Sequence, residues 1–357
     1  MDLKNVQASE KMADALVAFH NKYFGDNRKP EHWIWEYKVS YPDLSLFSVM
    51  MQNGDIAGTL GMIPIYLRVA GKRTLSAKCE NALVTPEHRG SNLYLDLHAA
   101  QESNCRRKGF QFQWAYGPQY KSGLRCGFSV HKNAICSLGA VISPARVLAD
   151  TLKSGKKGVR ERMVEITSAM LLWLYGSARR ATNARPKNRY VVRTEPLGQR
   201  DMDDLYQRLR SRFPDMIHID LDRNYLKWRI YDHPFIQYKN YFVYRGSQLV
   251  AYSFVNAHKE ARVYLTDFTY DDIDAGKFLL SRILKDLAAK KIGLLIFVGN
   301  RENPLIKETL NLLRKRGFVH IGATNFHIRN IQFKFDETIS KLENWYMTGT
   351  ASEGYEV

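Results

Sequence analysis

The sequence predicts a mixed α/β protein made of two successive units on one plan. Three observations carry this expectation. The 357 residues are 45% apolar and 12% aromatic, a globular composition on a chain long enough for two cores. Apolar runs bounded by glycine turns alternate with segments of helical period. Several features of the first half also return, in order, at an offset of 190–193 residues in the second.

The elements follow in chain order. Met12, Leu16, Val17 and Phe19 recur at helical spacing and predict a first helix over residues 9–24. An aromatic cluster, Trp33, Trp35 and Tyr37, ends near Tyr41 and Pro42. Apolar runs at 46–51 and 56–61 flank Asn53-Gly54, the strongest short-range hairpin signal. A third strand over 63–69 leads through Gly71 and Lys72 to a fourth, ending in Ala82, Leu83 and Val84 and stopped by Pro86, which has no N–H for a ladder. A polar loop, His88 to Asn92, opens a helix over 93–108 whose apolar residues are Leu93, Leu95, Leu97 and Ala100. Gly109 stops that helix, and 110–116 alternates as a further strand before Pro118, Gln119, Ser122 and Gly127-Phe128.

The stretch from Glu80 to Tyr94 organises this half. A strand running into a glycine loop and then a helix start is an anion site, because the first helical N–H groups lack internal partners and carry the positive end of the dipole. Arg89 adds a cation at its mouth. On the loop alone, an ordinary strand–turn–helix with a solvated arginine reads equally well.

Val84-x-Pro86-Glu87-His88-Arg89-Gly90 resembles the strand-to-loop signature of the GCN5-related N-acetyltransferase (GNAT) superfamily, whose Arg/Gln-x-x-Gly-x-Gly/Ala loop holds the pyrophosphate of acetyl-coenzyme A. Pro118-Gln119-x-x-Ser122 with Gly127-Phe128 is similar to the family's Pro-Asn-x-x-Ser and terminal Gly-Phe. Asn92 and Tyr94 depart from the family's small residues; Asn tolerates a left-handed backbone, whereas Tyr94 narrows the approach. The resemblance implies two tandem GNAT-like folds around mixed, mostly antiparallel sheets. It also implies an acyl-coenzyme A co-substrate held at Arg89, Gly90, Ser91, Asn92, Leu93 and Tyr94, with Leu83 and Val84 at the positions that pair with the pantetheine arm.

Acyl transfer to an amine needs an anchored donor, a proton acceptor for the ammonium and stabilisation of the leaving thiolate. Glu80 is the carboxylate on the strand leading to the loop, where relatives often place a base; a strand-edge charge paired with Lys78 or Arg73 fits it equally. Relatives often assign the acid to a tyrosine four residues before the Gly of Gly-Phe, and that position is Gly123. Tyr116 and Tyr120 are the nearby substitutes, and Ser122 offers a hydrogen bond.

Composition bounds the rest. A net charge of +17 favours an anionic partner such as a coenzyme phosphate, RNA or a lipid surface. Cys79, Cys105, Cys126 and Cys136 show no C-x-x-C pair and no histidine at metal spacing, so they read as reduced, buried thiols of a cytoplasmic protein without a metal. Met1–Lys4 begins no signal peptide, and no apolar run is long enough to span a bilayer.

Residues 151–193 carry eleven Lys/Arg against Glu161 and Glu165, around an apolar stretch over 163–175. Docking on an anionic membrane surface fits this pattern; a connecting helix with solvated basic ends fits it better on general grounds. Residues 176–188 read as a linker. From 194 the first pattern returns: Trp228 echoes Trp35 and Leu249 echoes Ile56 at an offset of 193, and Gly317-Phe318 echoes Gly127-Phe128 at 190. The second copy replaces the Arg-Gly loop by Asp271, Asp272 and Asp274, which cap a helix but repel a pyrophosphate.

The expected organisation is an active GNAT-like domain over 1–150, a basic connector over 151–193, a degenerate copy over 194–340 and a tail over 341–357. The expected function is N-acyl transfer, N-acetyl transfer in particular, to an amine of a small polar acceptor such as an amino sugar. An aminoacyl-tRNA-dependent transferase of the peptidoglycan-bridge type and a non-catalytic GNAT-fold binding module are the alternatives.

Overall fold

Asn53 and Gly54 both adopt positive φ (52° and 92°), and the hairpin they predict forms between β2 (Leu46–Gln52) and β3 (Asp55–Val69). The computed structural model describes residues 3–25, 27–153, 159–181, 189–195, 198–259, 262–332 and 334–351. Around that hairpin lie β1 (Leu3–Gln7), β4 (Lys72–Val84), β5 (Phe112–Gly117) and β6 (Ser129–Val141). Then follow β7 (Val191–Arg193), β8 (Ile217–Ile219), β9 (Tyr238–Arg245), β10 (Gln248–Lys259), β11 (Arg262–Tyr270), β12 (Leu294–Asn300) and β13 (Val319–Asn330).

The strand expected over 63–69 is not separate. β3 runs unbroken through Gly61 and Pro64, because β4 pairs with it along the whole length while β2 ends at Leu46↔Met62 and β8 joins only at Leu67–Val69. Pro64 therefore sits where one edge of the strand has no ladder to break.

The chain divides into two compact units that are not consecutive in sequence. Unit 1 comprises Met1–Asn133, Ile217–Asp220 and Thr324–Asn344, and unit 2 comprises Ala134–Met216, Leu221–Ala323 and Trp345–Val357. Unit 1 orders its strands β1-β2-β3-β4-β5-β13, antiparallel except for the parallel pair β4–β5, with β8 on the free edge of β3. Unit 2 orders them β6-β12-β11-β10-β9-β7, antiparallel except for the parallel pair β11–β12. Each copy's last strand completes the sheet of the other unit, so boundaries at 150 and 194 do not coincide with the compact units. The expectation of consecutive domains fails on this exchange, which depends on strand pairing between residues some 200 positions apart and leaves no local signal.

The duplication is visible in the elements. Pro30–Ile34 and Arg223–Leu226 are short helices that each widen into a looser turn, over Trp35–Val39 and Lys227–Tyr231. Gly127 and Gly317, at φ +77° and +86°, follow the helices Tyr120–Arg125 and Pro304–Lys315. The helix Val159–Ala181 covers the expected apolar stretch and continues through Gly176, which packs directly on Gly317; residues 182–188 of the expected linker lie outside the described residues. Among the described residues no helix is long and apolar enough to cross a membrane.

Unit 1 buries Leu46, Leu60, Met62, Ala77, Leu93 and Leu97 in one core between its sheet and the helix Leu93–Arg107. Gly58 permits this approach, since a Cβ there would lie 2.6 Å from Leu93 Cδ2.

Candidate functional site: a split sheet and a glycine loop

The parallel pairing of β4 with β5 lasts only from Ser76↔Phe112 to Lys78↔Trp114. Beyond it β4 continues to Val84 and β5 to Gly117, and the two strands part. A bulge in β4 causes this. Thr59 pairs with Leu83 and Gly61 with Glu80, so Asn81 and Ala82 together face Leu60. Asn81 takes a left-handed φ of 53°, which Asn tolerates, and the surroundings fix it. Thr59 Oγ1 donates to its carbonyl at 2.9 Å, and its Nδ2 donates to Tyr37 Oη at 2.8 Å and Glu36 Oε1 at 3.1 Å. Gln101 Nε2, from the helix, satisfies the Leu60 carbonyl at 2.8 Å. Sequence reading missed Asn81; its tolerance of positive φ was the available signal.

The loop at the mouth of the split is preformed. Pro86–His88 makes one tight turn, Thr85 Oγ1 meets His88 Nδ1 at 2.9 Å, and Ser91 Oγ donates to the His88 carbonyl at 2.7 Å and accepts from Leu93 N at 3.2 Å. Gly90 adopts φ +87° with open space where a Cβ would stand, and Arg89, Gly90, Ser91 and Asn92 are exposed. The first intrahelical bond runs from Asp96 N to Asn92 O at 2.9 Å, so the amides of Asn92, Tyr94 and Leu95 precede the ladder at the positive end of the dipole. These groups fit an anion such as a pyrophosphate, and the parted strands beyond them fit an extended arm.

The predicted chemical residues fall in two groups. On one face, Glu80 forms an ion pair with the buried Lys78 ammonium, which lies 6.0 Å from the Tyr116 ring centre; Arg73 instead binds Asp220 at 2.8 Å. On the helix side, the Ser122 hydroxyl faces the Tyr94 phenol, which burial shifts to a higher pKa. The Lys132 ammonium lies over the Tyr120 ring, 4.0 Å from its centre. Leu83 is buried on β4 and Val84 half-buried.

Residues from β13 complete the site, and sequence reading did not find them. Arg329 Nε donates to Gln113 Oε1 at 2.8 Å, and its two amino groups donate to the Cys126 carbonyl at 2.7 Å and the His98 carbonyl at 3.3 Å. One guanidinium thus joins β5 to both helices that flank the split. His327 occupies the place of a side chain at Gly123, where a Cβ would lie 2.6 Å from His327 Nδ1; its Nε2 meets the Gly117 carbonyl at 3.2 Å. Burial lowers the His327 pKa. His98 lies between two rings, tilted against Tyr94 and edge-on to Phe128; it has no hydrogen-bond partner at either ring nitrogen, and burial with Arg329 nearby lowers its pKa to about 3. The four cysteines are free and buried; desolvation raises Cys126 to about 11 and Cys105 to about 12, so these are inert thiols. Among the described residues no group of three or more His, Cys, Asp or Glu is placed to hold a metal.

In unit 2 the equivalent loop is acid-lined. Asp272 caps the helix Ile273–Ala289 by accepting from Ala275 N at 2.8 Å, and Asp271 binds Arg208 Nε at 2.7 Å. Both border a cavity of about 540 Å³ with Glu308 and Lys315.

Comparison with known proteins agrees with this geometry. The family profile described as acetyltransferase (GNAT) domain matches residues 5–131. No curated protein matches the chain. Among solved structures, a conserved protein of unknown function from Enterococcus faecalis V583 is similar at TM-score 0.64 and 9% identity, over 94% of this chain and 74% of that one. A GCN5-related N-acetyltransferase from Anabaena variabilis is similar at 0.60 and 11%, over 92% and 73%. A tandem GNAT protein from the clavulanic acid biosynthesis pathway is similar at 0.59 and 13%, over 92% of this chain and 99% of that one. At these identities the structural likeness establishes the fold. With the split sheet, the glycine loop and the repeated plan, residues 5–131 match an acetyltransferase (GNAT) domain, and the whole chain has a tandem GNAT-like fold.

Proposed function

We propose that unit 1 transfers an acyl group from acyl-coenzyme A, acetyl-coenzyme A in the first place, to the amine of a small polar acceptor such as an amino sugar. The observation that carries this reading is the parting of β4 from β5 directly behind the Gly90 loop, which combines an anion site with a slot for a thioester arm. Arg89 and the amides from Gly90 to Tyr94 would hold the pyrophosphate, and the β4 backbone at Leu83 and Val84 would hold the arm.

In the reaction the amine nitrogen forms a bond to the thioester carbonyl carbon, and the carbon–sulfur bond breaks with its electrons on sulfur. Glu80 takes the ammonium proton, directly or through a water, and Lys78 balances its charge beforehand. Tyr116, beside the same ammonium, is the nearer candidate to protonate the thiolate, with Tyr120 and Ser122 as the others. A second reading, a non-catalytic binding module, is favoured by one observation: His327 fills the place of the usual tyrosine at Gly123. The aminoacyl-tRNA alternative draws on the +17 charge and on the two such folds that peptidoglycan-bridge enzymes also use. Calorimetric titration with acetyl-coenzyme A, free coenzyme and tRNA, followed by thiol release with a panel of amines, separates the three. Binding without release in any amine supports the module, and no coenzyme binding ends the acyltransferase reading.

The basic segment carries a separate proposal. Met163, Val164, Met170, Leu171 and Leu174 are exposed along the helix Val159–Ala181, within the stretch richest in Lys and Arg, which favours docking on an anionic membrane surface.

A further inference from the structure

Unit 2 repeats the split. β11 and β12 pair in parallel from Arg262↔Leu294 to Leu265↔Phe297 and then part, behind a bulge where Phe254 pairs with Asp267 and Val255 with Leu265. The parted strands enclose a piece of the chain itself. Trp345, Tyr346, Met347, Thr348, Gly349, Thr350 and Ala351 are all buried, although sequence reading makes them a tail.

This segment is bonded on both sides. Toward β12, Gly299 bridges Thr348, Asn300 N donates to Met347 O at 3.0 Å, and Asn300 Nδ2 donates to Trp345 O at 2.8 Å. Toward β11, Tyr346 Oη meets Thr269 Oγ1 at 2.8 Å, and Gly349 lies so close that a Cβ would stand 3.0 Å from the Thr266 carbonyl oxygen. Tyr225 Oη donates to Thr350 O at 2.7 Å. Behind it is a buried polar wall in which Asp267 accepts from Tyr252 Oη at 2.7 Å, Thr269 Oγ1 at 2.9 Å and Phe268 N at 2.8 Å.

We propose that the split of unit 2 is a binding site for an extended, hydroxyl-bearing peptide, filled in cis by Trp345–Ala351, which stands where an acyl-coenzyme arm would lie in a unit of this fold. Backbone amides of β12 supply affinity, as in strand addition to a sheet edge, and the wall around Asp267 selects hydroxyl groups. Coenzyme A is excluded twice, by the seated segment and by the acids at the helix start. The inference rests on unit 2 and stands whether or not unit 1 turns over a substrate.

The test uses the full chain carrying Gly349→Leu, whose side chain collides with the Thr266 backbone and unseats the segment. A fluorescently labelled peptide Trp-Tyr-Met-Thr-Gly-Thr-Ala should bind this variant one-to-one by anisotropy and leave the wild-type chain unbound. Failure to bind a variant with a wild-type circular dichroism spectrum overturns the proposal, as does a second equivalent of coenzyme A taken up by the variant. Where Gly349→Leu does not fold, Thr348→Val decides. Hydrogen exchange over Trp345–Ala351 and Leu294–Asn300 should quicken together by about tenfold, the effect of losing about 1.4 kcal/mol. Unchanged exchange in both stretches overturns the proposal.

Discussion

His98→Leu should flatten the acid limb of stability. His98 is 3% exposed, neither ring nitrogen has a hydrogen-bond partner, and burial beside Arg329 and His327 holds its pKa near a value of about 3. Above about pH 6.5 the histidine is neutral in folded and unfolded chains, and its titration contributes nothing to their difference. As the pH falls from about 6.5 towards about 3, the unfolded chain binds a proton that the folded chain refuses, so stability is lost across that window. At about 1.36 kcal/mol per pH unit, the loss reaches about 2 kcal/mol at pH 5. Asp267 acts in the opposite sense, because burial raises it to about 6 and the folded chain binds its proton first; that contribution is common to both proteins and cancels between them. Urea unfolding of wild type and variant at pH 8 and pH 5 measures the difference. The variant should be at least as stable at pH 8, where two unsatisfied nitrogens are gone, and should gain a further ~2 kcal/mol over wild type at pH 5. Parallel pH dependences would refute the assignment of His98 as a buried, neutral and unpartnered ring.

Glu80→Gln should leave coenzyme binding intact and lower turnover by about a hundredfold or more, read by thiol release. It also strands the Lys78 ammonium, so the melting temperature should fall and recover in Lys78→Met/Glu80→Gln; unchanged turnover returns Glu80 to a purely structural role. Gly90→Pro, which cannot adopt the positive φ, and Arg89→Glu should each weaken coenzyme A binding at least tenfold by calorimetry, while Asp272→Ala should not. Gly123→Tyr should cost about 1–3 kcal/mol by overpacking against His327, with recovery in His327→Ala/Gly123→Tyr; an unperturbed single variant would contradict the packing seen at Gly123. Binding to anionic vesicles should fall steeply with added salt and in Met170→Ser/Leu174→Ser, and no co-sedimentation at low salt leaves the helix a connector.

What the sequence by itself determined is local. Asn53-Gly54 sets a hairpin because both residues accept positive φ, and Gly127 and Gly317 stop helices for the same reason. The order of strands and helices, the loop with Gly90 and the repeat of the plan follow from period and turn chemistry within windows of a few residues. The tertiary structure decided what depends on distant partners. Asn81 is an unremarked polar residue until Thr59, Tyr37 and Glu36 hold it in a bulge that opens the split. Arg329 and His327 reach the site from β13, more than 200 residues after the β5 groups they bind, because the two copies exchange their last strands. Trp345–Ala351 reads as a tail until the parted ends of β11 and β12 offer it backbone partners. Pairing between strands far apart in the chain carries no fixed spacing, so it leaves no pattern that a single sequence displays.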